Sequence, residues 1–419
     1  MIAGWQCAVC SATLDIATVA PWRCPRATPD DPYHVLRLVG AELTADTPAP
    51  TLLDVIDHDP AIEPTAFNPF VVYGPRLAWW AFATANGMTD AACEALTGEL
   101  AGDFHITPFE RSMALTERLG TNVWVKDETD DVAGSHKARH LIGILLHLRA
   151  AELLGLLDRR PPLAIASCGN AALAAAILAA RVEWPLDVYV PTWMDDVIGD
   201  RLGELGARIH RCERRVGDPP GDPAMLRFRE ARNEGAIPFT VQGPENALCL
   251  DGGRTLGWEM ADQAVLAGVE LDRVVVQVGG GAFASCVGAG LGRTVRLDTV
   301  QAAGCAPLAD AWERAAVIEQ PARYWPQVMR PWAEPHSAAD GILDDETYDW
   351  ISVMEAMVDS GGSPIGAAEA DIVRAHGLAT EAGYRVSATG AAGLAGLLTI
   401  ADRLRSGDHV AVVMSGVAR

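Results

Sequence analysis

Only two of the 33 basic residues in this chain are lysines, and one of them stands where an amine can do chemistry. Lys137 follows a polar loop and opens a helical run rich in Ala and Leu. A cation in the first turn of a helix is disfavoured, because the amino end of a helix carries partial positive charge. Burial and that charge also lower the pKa of a lysine, which can form a Schiff base as no arginine can. Lys137 is therefore a candidate for covalent catalysis, and the alternative is a solvated surface lysine.

Small and polar residues follow the apolar run LAIA directly. Ser167, Cys168, Gly169 and Asn170 form a predicted tight turn before the Ala-rich helical run AALAAAILAAR. The free backbone N–H groups at such a helix start suit a carboxylate or a phosphate. An ordinary capping turn uses the same residue types, so this motif alone leaves both interpretations open.

A glycine run follows the most hydrophobic strand candidate, VVVQV. Gly279, Gly280 and Gly281 allow the backbone to approach an anion closely and to direct successive N–H groups toward it. The run lacks the spacing of a dinucleotide fingerprint and the lysine of a P-loop, which argues against NAD and ATP. A purely structural glycine turn remains the alternative. Ser415 ends the last apolar run, where its hydroxyl could face a heterocyclic nitrogen or simply form a turn.

Alternating strand and helix patterns must position these residues. From about residue 110, short β-rich runs such as TNVWVKDE, DVYVPT and HVAVVMSG alternate with helical runs such as GGRTLGWEMADQAVLAG. Runs that are apolar at consecutive positions indicate a parallel sheet covered by helices on both faces. The predicted fold class is α/β, and ligands bind such sheets at the carboxyl ends of the strands. Lys126 lies inside VWVKDE, where an ion pair with Asp127, Glu128 or another acid is as good an explanation as catalysis.

Composition limits the class of protein and its partners. The 419 residues are 49% hydrophobic and 21% charged, which is typical of a globular chain of two or three domains. A net charge of −22 makes nucleic acid and anionic membranes unfavourable partners. The start of the chain lacks the pattern of a signal peptide, no run is long and apolar enough to span a bilayer, and the nine cysteines fit reduced thiols. We therefore expect a cytoplasmic protein.

Taken in order, these motifs resemble the fold-type-II pyridoxal-phosphate enzymes, the family of threonine synthase, the serine and threonine ammonia-lyases, cysteine synthase and the tryptophan synthase β chain. The resemblance spans about residues 105–419. It rests on TPFERSMALTERLGTNVWVKDE, GSHKAR, SCGNAALAAA, GGRTLGWEMADQ, VGGGAFAS, SATGAAGLAGLL and VMSG. It implies two open, mostly parallel twisted sheets with helices on both faces. The implied limits are an irregular N-terminal extension at 1–65, a large cofactor domain at 66–120 and 235–419, and a small α/β domain at 121–234.

The resemblance also implies a role for each candidate residue. Lys137 is the residue that binds pyridoxal 5'-phosphate as a Schiff base, with His136 in the place of the family's Phe. The cofactor's phosphate, ring oxygen and ring nitrogen are assigned to Gly279, Gly280, Gly281 and Ala282, to Asn170, and to Ser415, respectively. The substrate is assigned to Ser135, Ser167, Cys168, Gly169, Asn170 and Ala171. Arg139 is a candidate for a substrate phosphate or carboxylate, and its alternative is a helix-surface arginine.

The implied reaction is elimination. A neutral hydroxyl opposite the pyridine nitrogen favours prompt loss of a leaving group over storage of carbanion charge, and a freed Lys137 amine is the predicted base for the α-proton. We expect a lyase that acts on an L-amino acid with a β- or γ-leaving group, similar to the ammonia-lyases or to threonine synthase. A β/γ-replacement synthase and a non-catalytic binding protein are the alternatives. Since the family is usually dimeric, the expected assembly is a homodimer.

Three cysteines near the start of the chain form a partial metal-binding motif. Cys7-x-x-Cys10 and Cys24-Pro25 resemble the small zinc ribbon of some threonine synthases, but residues 24–27 read CPRA and lack the second cysteine of that pair. A zinc site would need a fourth ligand such as His34. The sequence therefore favours a lead that packs on the core without metal. Residues 306–345 match no motif, and we expect that they shape the substrate mouth.

Overall fold

The computed structural model describes residues 2–40, 51–56, 63–219 and 221–419. The predicted N-terminal segment 1–65 therefore lies partly outside the described residues. The strands are β1 Ile2–Cys7, β2 Thr13–Asp15, β3 Leu36–Gly40, β4 Phe109–Arg111, β5 Asn122–Asp127, β6 Leu163–Ala166, β7 Leu186–Pro191, β8 Arg208–Cys212, β9 Ile237–Pro238, β10 Arg273–Gln277, β11 Arg296–Ala302, β12 Pro364–Ala367 and β13 His409–Met414.

Helices surround these strands throughout the described ranges. They are α1 Leu52–Ile56, α2 Pro69–Val72, α3 Ala78–Ala85, α4 Asp90–Ala101, α5 Met113–Leu119, α6 Lys137–Leu153, α7 Asn170–Arg181, α8 Asp196–Glu204, α9 Pro223–Asn233, α10 Cys249–Gly252, α11 Arg254–Leu266, α12 Ala282–Leu291, α13 Pro307–Ala315, α14 Trp325–Val328, α15 Trp350–Ser360, α16 Glu369–Glu381 and α17 Ala392–Thr399. None of them, within the described ranges, has the length and apolar character that a membrane span requires.

Two largely parallel sheets confirm the predicted α/β class. The larger sheet has the order β12-β11-β10-β13-β5-β4, in which only the edge strand β4 is antiparallel to its neighbour. The smaller sheet has the order β8-β7-β6-β9 and is parallel throughout. Central strands such as β10 and β13 are buried on both faces, as their continuous apolar sequences predict.

The limits predicted for the small domain need a correction. β5 was assigned to the small domain at 121–234, but it pairs along its whole length with β13 of the six-stranded sheet. At the other end, Ile237–Pro238 extends the four-stranded sheet beyond residue 234. The β5 sequence contains no information on which of two parallel sheets it joins, because both bury it between helices.

The N-terminal segment is more regular than its many prolines suggest. β1 pairs antiparallel with both β2 and β3, so residues 2–40 contain a three-stranded sheet where the sequence predicted irregular structure. The strands were missed because two of them have only three and five residues, and a turn through Ser11 with a φ of 60° separates β1 from β2. This sheet carries Cys7 at the end of β1.

Helix α6 ties the N-terminal segment to the core through a buried histidine. The Nε2 atom of His147 donates a hydrogen bond to the backbone oxygen of Val19 at 2.8 Å, and the ring packs on Phe82 with centroids 3.9 Å apart. Burial lowers the pKa of His147 to about 4, against the small opposing effect of the Val19 hydrogen bond. The folded protein therefore holds this imidazole neutral at pH values where an unfolded chain protonates it.

We expect this histidine to reduce stability in acid. Because its folded pKa is depressed, its contribution to the free energy of unfolding is fully present above the unfolded pKa of ~6.5 and falls as the pH drops toward 4. Between pH 7.5 and pH 5 the loss for one such histidine is on the order of 2 kcal/mol. Urea unfolding of wild type and His147→Gln at both pH values measures the difference. An equal pH dependence of the two proteins would contradict this assignment.

Candidate active site

Lys137 is the first residue of α6, and the loop that precedes it lies against the end of β13. The loop after β5 is held to the end of β13, because the His136 N–H donates to the Ser415 carbonyl oxygen at 3.2 Å and Ser135 bridges to Gly416. Burial lowers the pKa of Lys137, and the nearby Asp344 carboxylate partly opposes that shift. The Lys137 side chain is thus partly buried at the start of α6, which differs from the fully solvated surface lysine that was the alternative.

The glycine run forms a cradle between β10 and α12. A Cβ atom on Gly279 would stand 2.4 Å from the Oδ2 atom of Asp344, and Gly281 has a φ of 101°, so neither position accepts a larger residue without strain. Gly281 caps α12 without a side-chain hydrogen bond, and Ala282 is the first helical residue. The backbone N–H groups at the start of α12, together with the positive end of that helix, suit a phosphate here.

An acidic side chain already contacts this cradle. Burial raises the pKa of the Asp344 carboxyl to about 6. The charge of Lys137 and a backbone hydrogen bond from the Gly280 N–H act in the opposite direction, but burial outweighs them. Asp349 lies close by, where its Oδ2 atom accepts from the Gly243 N–H at 3.2 Å. Burial raises the pKa of Asp349 to about 7. Neither acid was identified from the sequence, because nothing in the segment DDETYD indicates contact with a glycine run some sixty residues earlier.

Ser415 lies at the end of β13 with its hydroxyl oriented by a neighbour. The Nε2 atom of Gln277 donates to the Ser415 Oγ atom at 2.6 Å and also to the Gly390 carbonyl oxygen at 2.9 Å. Because the Oγ atom accepts from Gln277, its own proton stays available for donation to a second group. The structure thus supports a role for Ser415 as a hydrogen-bond donor, and it adds Gln277 as a positioning residue that the sequence did not reveal.

The turn at residues 167–171 joins β6 to α7. The Ser167 N–H donates to the Tyr189 carbonyl oxygen at 3.2 Å, and the Gly169 N–H donates to the Ser167 Oγ atom at 3.4 Å. Asn170 is the first residue of α7, and its Oδ1 atom accepts from the Arg419 Nε atom at 2.9 Å. Gly169 caps the helix without a side-chain hydrogen bond, so the N–H groups at this helix start remain available to an anion.

A cavity of about 570 Å³ opens beside this turn, at the carboxyl ends of β6, β7 and β8. The residues that line it include Ser167, Cys168, Tyr189, Thr192, Arg214 and Asp222. Burial raises the pKa of the Cys168 thiol, and the carboxylates of Asp222, Asp340 and Asp344 contribute to that shift. The cavity lining includes Ser167 and Cys168 of the turn, and it does not include Lys137, the glycine cradle or Ser415.

The residues before Lys137 include buried polar atoms without a partner in the described structure. Neither ring nitrogen of His136 has a hydrogen bond, nor does the Ser135 hydroxyl oxygen. The His136 ring stacks on Phe283 with centroids 4.0 Å apart, and burial holds its pKa well below the usual range, so the imidazole is neutral. Buried polar groups are normally hydrogen-bonded, so these atoms indicate a place for a polar ligand.

The structure corrects the predicted role of Arg139. Its side chain is fully buried and bonds in two places to Glu128, through Nε to Oε2 at 2.7 Å and through NH2 to Oε1 at 3.0 Å, and it also pairs with Glu259. Glu259 accepts a bond from the Lys126 Nζ atom at 2.6 Å. Arg139 is thus neither a substrate ligand nor a surface residue, since its guanidinium is engaged by carboxylates of the core. Lys126 forms an ion pair with an acid more distant in sequence than Asp127 or Glu128.

The three N-terminal cysteines come together in space. The ligand atoms of Cys7, Cys10, Cys24 and His34 all lie within 4.8 Å of one another. The unrecognised segment 306–345 has two parts. Its first part packs on the larger sheet through Leu308 and Trp325, and its last residues bring Asp344 to the glycine cradle.

A family model described as "Pyridoxal-phosphate dependent enzyme" matches residues 101–416. This match covers the two largely parallel sheets, Lys137, the glycine cradle and Ser415. The chain belongs to this family, and the predicted resemblance to fold-type-II pyridoxal-phosphate enzymes is confirmed. Pyridoxal 5'-phosphate is its cofactor, as the resemblance implied.

Individual relatives agree with this assignment. A threonine synthase from Synechocystis sp. is 27% identical over 323 residues, which cover 74% of this chain and 75% of the relative. Maize serine racemase shares the fold with a TM-score of 0.60 and 19% identity, over 78% of this chain and 92% of the other. The L-serine ammonia-lyase of Rhizomucor miehei gives a TM-score of 0.57 and 20% identity, over 75% and 94%. The predicted enzyme class, a pyridoxal-phosphate-dependent lyase, is confirmed.

The described side chains fit the cofactor. Four features surround the same region: the Lys137 amine of lowered pKa, the unpartnered Ser135 and His136 atoms, the cradle without room for a Cβ atom, and the available Ser415 proton. A covalent link to Lys137, a phosphate at residues 279–282 and a ring nitrogen at Ser415 would use each of these features. The Asp344 carboxylate would have to be protonated, or rotate away from the cradle, when a phosphate binds there.

Proposed function

We propose that this enzyme eliminates a β-hydroxyl group from a hydroxy-amino acid such as L-serine or L-threonine, with ammonia and a 2-oxo acid as products. The observation that carries the proposal is the pair formed by Lys137 and Ser415. A partly buried amine of lowered pKa follows His136, whose N–H donates to the Ser415 carbonyl oxygen, and Gln277 orients the Ser415 hydroxyl to donate a proton. That pair serves proton removal followed by prompt loss of a leaving group.

The residues of this chain divide the reaction between them. When bound, pyridoxal phosphate supplies an electron-poor ring that accepts charge from the substrate's α-carbon. Lys137 holds the cofactor and then moves the α-proton, since burial lowers the pKa of its amine and so favours the unprotonated form that accepts a proton. The N–H groups at the start of α7, with Ser167 and Asn170, bind and orient the substrate carboxylate. The neutral Ser415 hydroxyl keeps its proton and would donate a hydrogen bond to the ring nitrogen. Unlike a carboxylate, it does not stabilise a positive charge on that nitrogen.

The charges around the cavity favour an uncharged leaving group. Arg139, the sequence candidate for a substrate phosphate, is engaged in the core. Arg214 lines the cavity, but its guanidinium donates to the carbonyl oxygens of Pro219 and Gly221. Asp222 lines the same cavity, and it lies close enough to Asp344 to contribute to the raised pKa of that acid. A phosphate group on the substrate would meet these carboxylates and lose free energy through repulsion.

Product analysis of the holoenzyme tests this proposal. Incubation with L-serine and with L-threonine is expected to release ammonia and a 2-oxo acid in equal amounts. O-phosphohomoserine is expected to release phosphate at less than about one hundredth of that rate, a difference of about 2.7 kcal/mol in transition-state stabilisation. Phosphate release with formation of threonine would overturn the choice of substrate. Consumption of serine only when a thiol or amine is added, with its incorporation, would favour the replacement reaction.

The proposed setting of the enzyme is a cytoplasmic homodimer. The resemblance to a family that is usually dimeric supports the assembly, and the net charge of −22 favours a well-solvated protein. Sedimentation equilibrium is expected to give twice the mass of 44.5 kDa for one chain. A monomeric mass for active enzyme would contradict the dimer.

A further inference from the structure

We propose that Cys7, Cys10, Cys24 and His34 bind one structural zinc ion. This ion holds the N-terminal sheet against residues 243–247, which we call the active-site wall because Gly243 contacts Asp349 beside the glycine cradle. The four ligand atoms lie within 4.8 Å of one another, and three of the four side chains are buried. This proposal concerns a metal site of which Lys137 is not a part, and it does not depend on the reaction proposed above.

The spacing of the ligand atoms matches a tetrahedral ion. The Cys7 Sγ and His34 Nδ1 atoms are 3.3 Å apart, and the Cys10 and Cys24 Sγ atoms are 3.5 Å apart. Zinc bonds of about 2.3 Å to sulfur place two tetrahedral ligands about 3.8 Å apart, close to these separations. Cys10 and Cys24 do not form a disulfide, which would require an S–S distance of about 2.05 Å.

Backbone hydrogen bonds prepare two of the sulfurs for a metal. The N–H groups of Val9 and Cys10 point to the Cys7 Sγ atom at 3.4 and 3.5 Å, and the Arg26 N–H points to the Cys24 Sγ atom at 3.4 Å. Such bonds are stronger to an anionic thiolate than to a neutral thiol. Two separate turns of the chain thus direct donors at the sulfurs that would carry negative charge.

The fourth ligand has the outer partner that metal-binding histidines usually have. While Nδ1 of His34 faces Cys7, its Nε2 atom lies 3.2 Å from the Oδ2 atom of Asp31. A carboxylate in this position fixes the ring orientation and leaves the other nitrogen free to bind a metal. His34 therefore replaces the cysteine that the sequence CPRA lacks, although it lies ten residues beyond Cys24. The metal-free lead that the sequence favoured is revised on this geometry.

The proposed zinc site has a full set of four protein ligands, and the chain segment next to it contacts the active-site wall. Four protein ligands leave no open position, which is the arrangement of a structural zinc and not a catalytic one. The loop before Cys24 bonds directly to residues 244–247, through the Ala247 N–H to the Trp22 carbonyl oxygen at 2.9 Å and the Arg23 Nε to the Pro244 carbonyl oxygen at 3.3 Å. Gly243, just before that segment, bonds to Asp349 beside the glycine cradle. Zinc would thus hold a loop that supports this wall.

Elemental analysis of the full-length holoenzyme tests the site. After growth with added zinc and mild purification, we expect about one zinc per chain, and a value below about 0.2 would overturn the proposal. Cys10→Ser and His34→Gln are expected to lose most of this zinc, whereas Cys93→Ser, which replaces a buried cysteine of α4, should keep it. Zinc retained in Cys10→Ser would overturn the site, and zinc retained only in His34→Gln would overturn the fourth ligand.

Three measurements remain informative if those variants do not fold. In the wild-type protein, modification of the thiols with a mercurial should release zinc in proportion to the cysteines modified, and release without such a relation would overturn cysteine ligation. Asp31→Asn, at an exposed carboxylate, is expected to weaken zinc binding by ~10–100-fold in a chelator competition. Removal of zinc should also speed hydrogen exchange at residues 244–247 relative to 410–413 in β13. Equal exchange with and without zinc would overturn the support of the active-site wall.

Discussion

Replacement of Lys137 by Ala is expected to reduce kcat/KM for any amino-acid substrate by about 10³-fold or more. The variant removes the amine that we propose both to hold the cofactor and to move the α-proton. Its stability should change little, because no hydrogen bond of the Lys137 amine contributes to the fold in the described structure and the side chain is only partly buried. Steady-state assays at saturating pyridoxal phosphate, with circular dichroism as a check of folding, measure both quantities.

Lys137→Arg is the matched control for this experiment. Arginine keeps the positive charge and most of the volume, but a guanidinium neither forms the covalent link nor removes the proton at neutral pH. Both variants are therefore expected to be inactive and to bind pyridoxal phosphate reversibly, without the visible absorption of the covalent form. Activity of Lys137→Arg within ten-fold of wild type would show that charge, and not covalent chemistry, is what this position supplies.

Replacement of Arg139 by Met is expected to lower the free energy of unfolding by about 3–5 kcal/mol. The substitution leaves Glu128 and Glu259 buried without their common cation, and Lys126 alone cannot neutralise both carboxylates. Urea unfolding of the purified variant measures the loss. At temperatures where the variant remains folded, KM for the substrate should change less than two-fold, because Arg139 does not reach the cavity.

Arg118→Met provides a surface control for this prediction. Arg118 pairs with Glu381 at 3.3 Å, but both side chains are about two-thirds exposed. Exposed ion pairs of this kind contribute about 0–1 kcal/mol, so the control should unfold close to wild type. If Arg139→Met were as stable as Arg118→Met and raised KM by ten-fold or more, the substrate role first assigned to Arg139 would be restored.

The predicted parts of the fold are those whose signals are local. Strands such as Arg273–Gln277 and helices such as Lys137–Leu153 follow from runs of apolar residues and from the small residues that end them. The three-stranded N-terminal sheet was missed because its strands are short and because β3 pairs with β1 across the segment between Cys7 and Leu36. For the same reason, the sequence could not place β5 in the larger sheet, since sheet membership depends on a partner almost three hundred residues away.

The candidate site shows the same division. Lys137, the glycine run and Ser415 could be proposed from the sequence because chemistry requires such residue types next to the ends of strands, and all of them lie within the residues that the family model matches. Asp344, Asp349 and Gln277 were missed, since their importance depends on the side chains that the fold brings beside them. Arg139 was misassigned because helical position alone does not distinguish an arginine facing a ligand from one facing buried carboxylates.

Borohydride reduction followed by peptide mass analysis tests the central claim most directly. Reduction of the holoenzyme should fix the cofactor to one lysine, and the chain offers only Lys126 and Lys137 as side-chain amines. We predict loss of the visible absorption band and a pyridoxyl-phosphate mass gain on the peptide that contains Lys137, in near-stoichiometric yield. A mass gain on Lys126, or no gain on either lysine in an active preparation, would contradict the assignment of Lys137 as the residue that holds the cofactor.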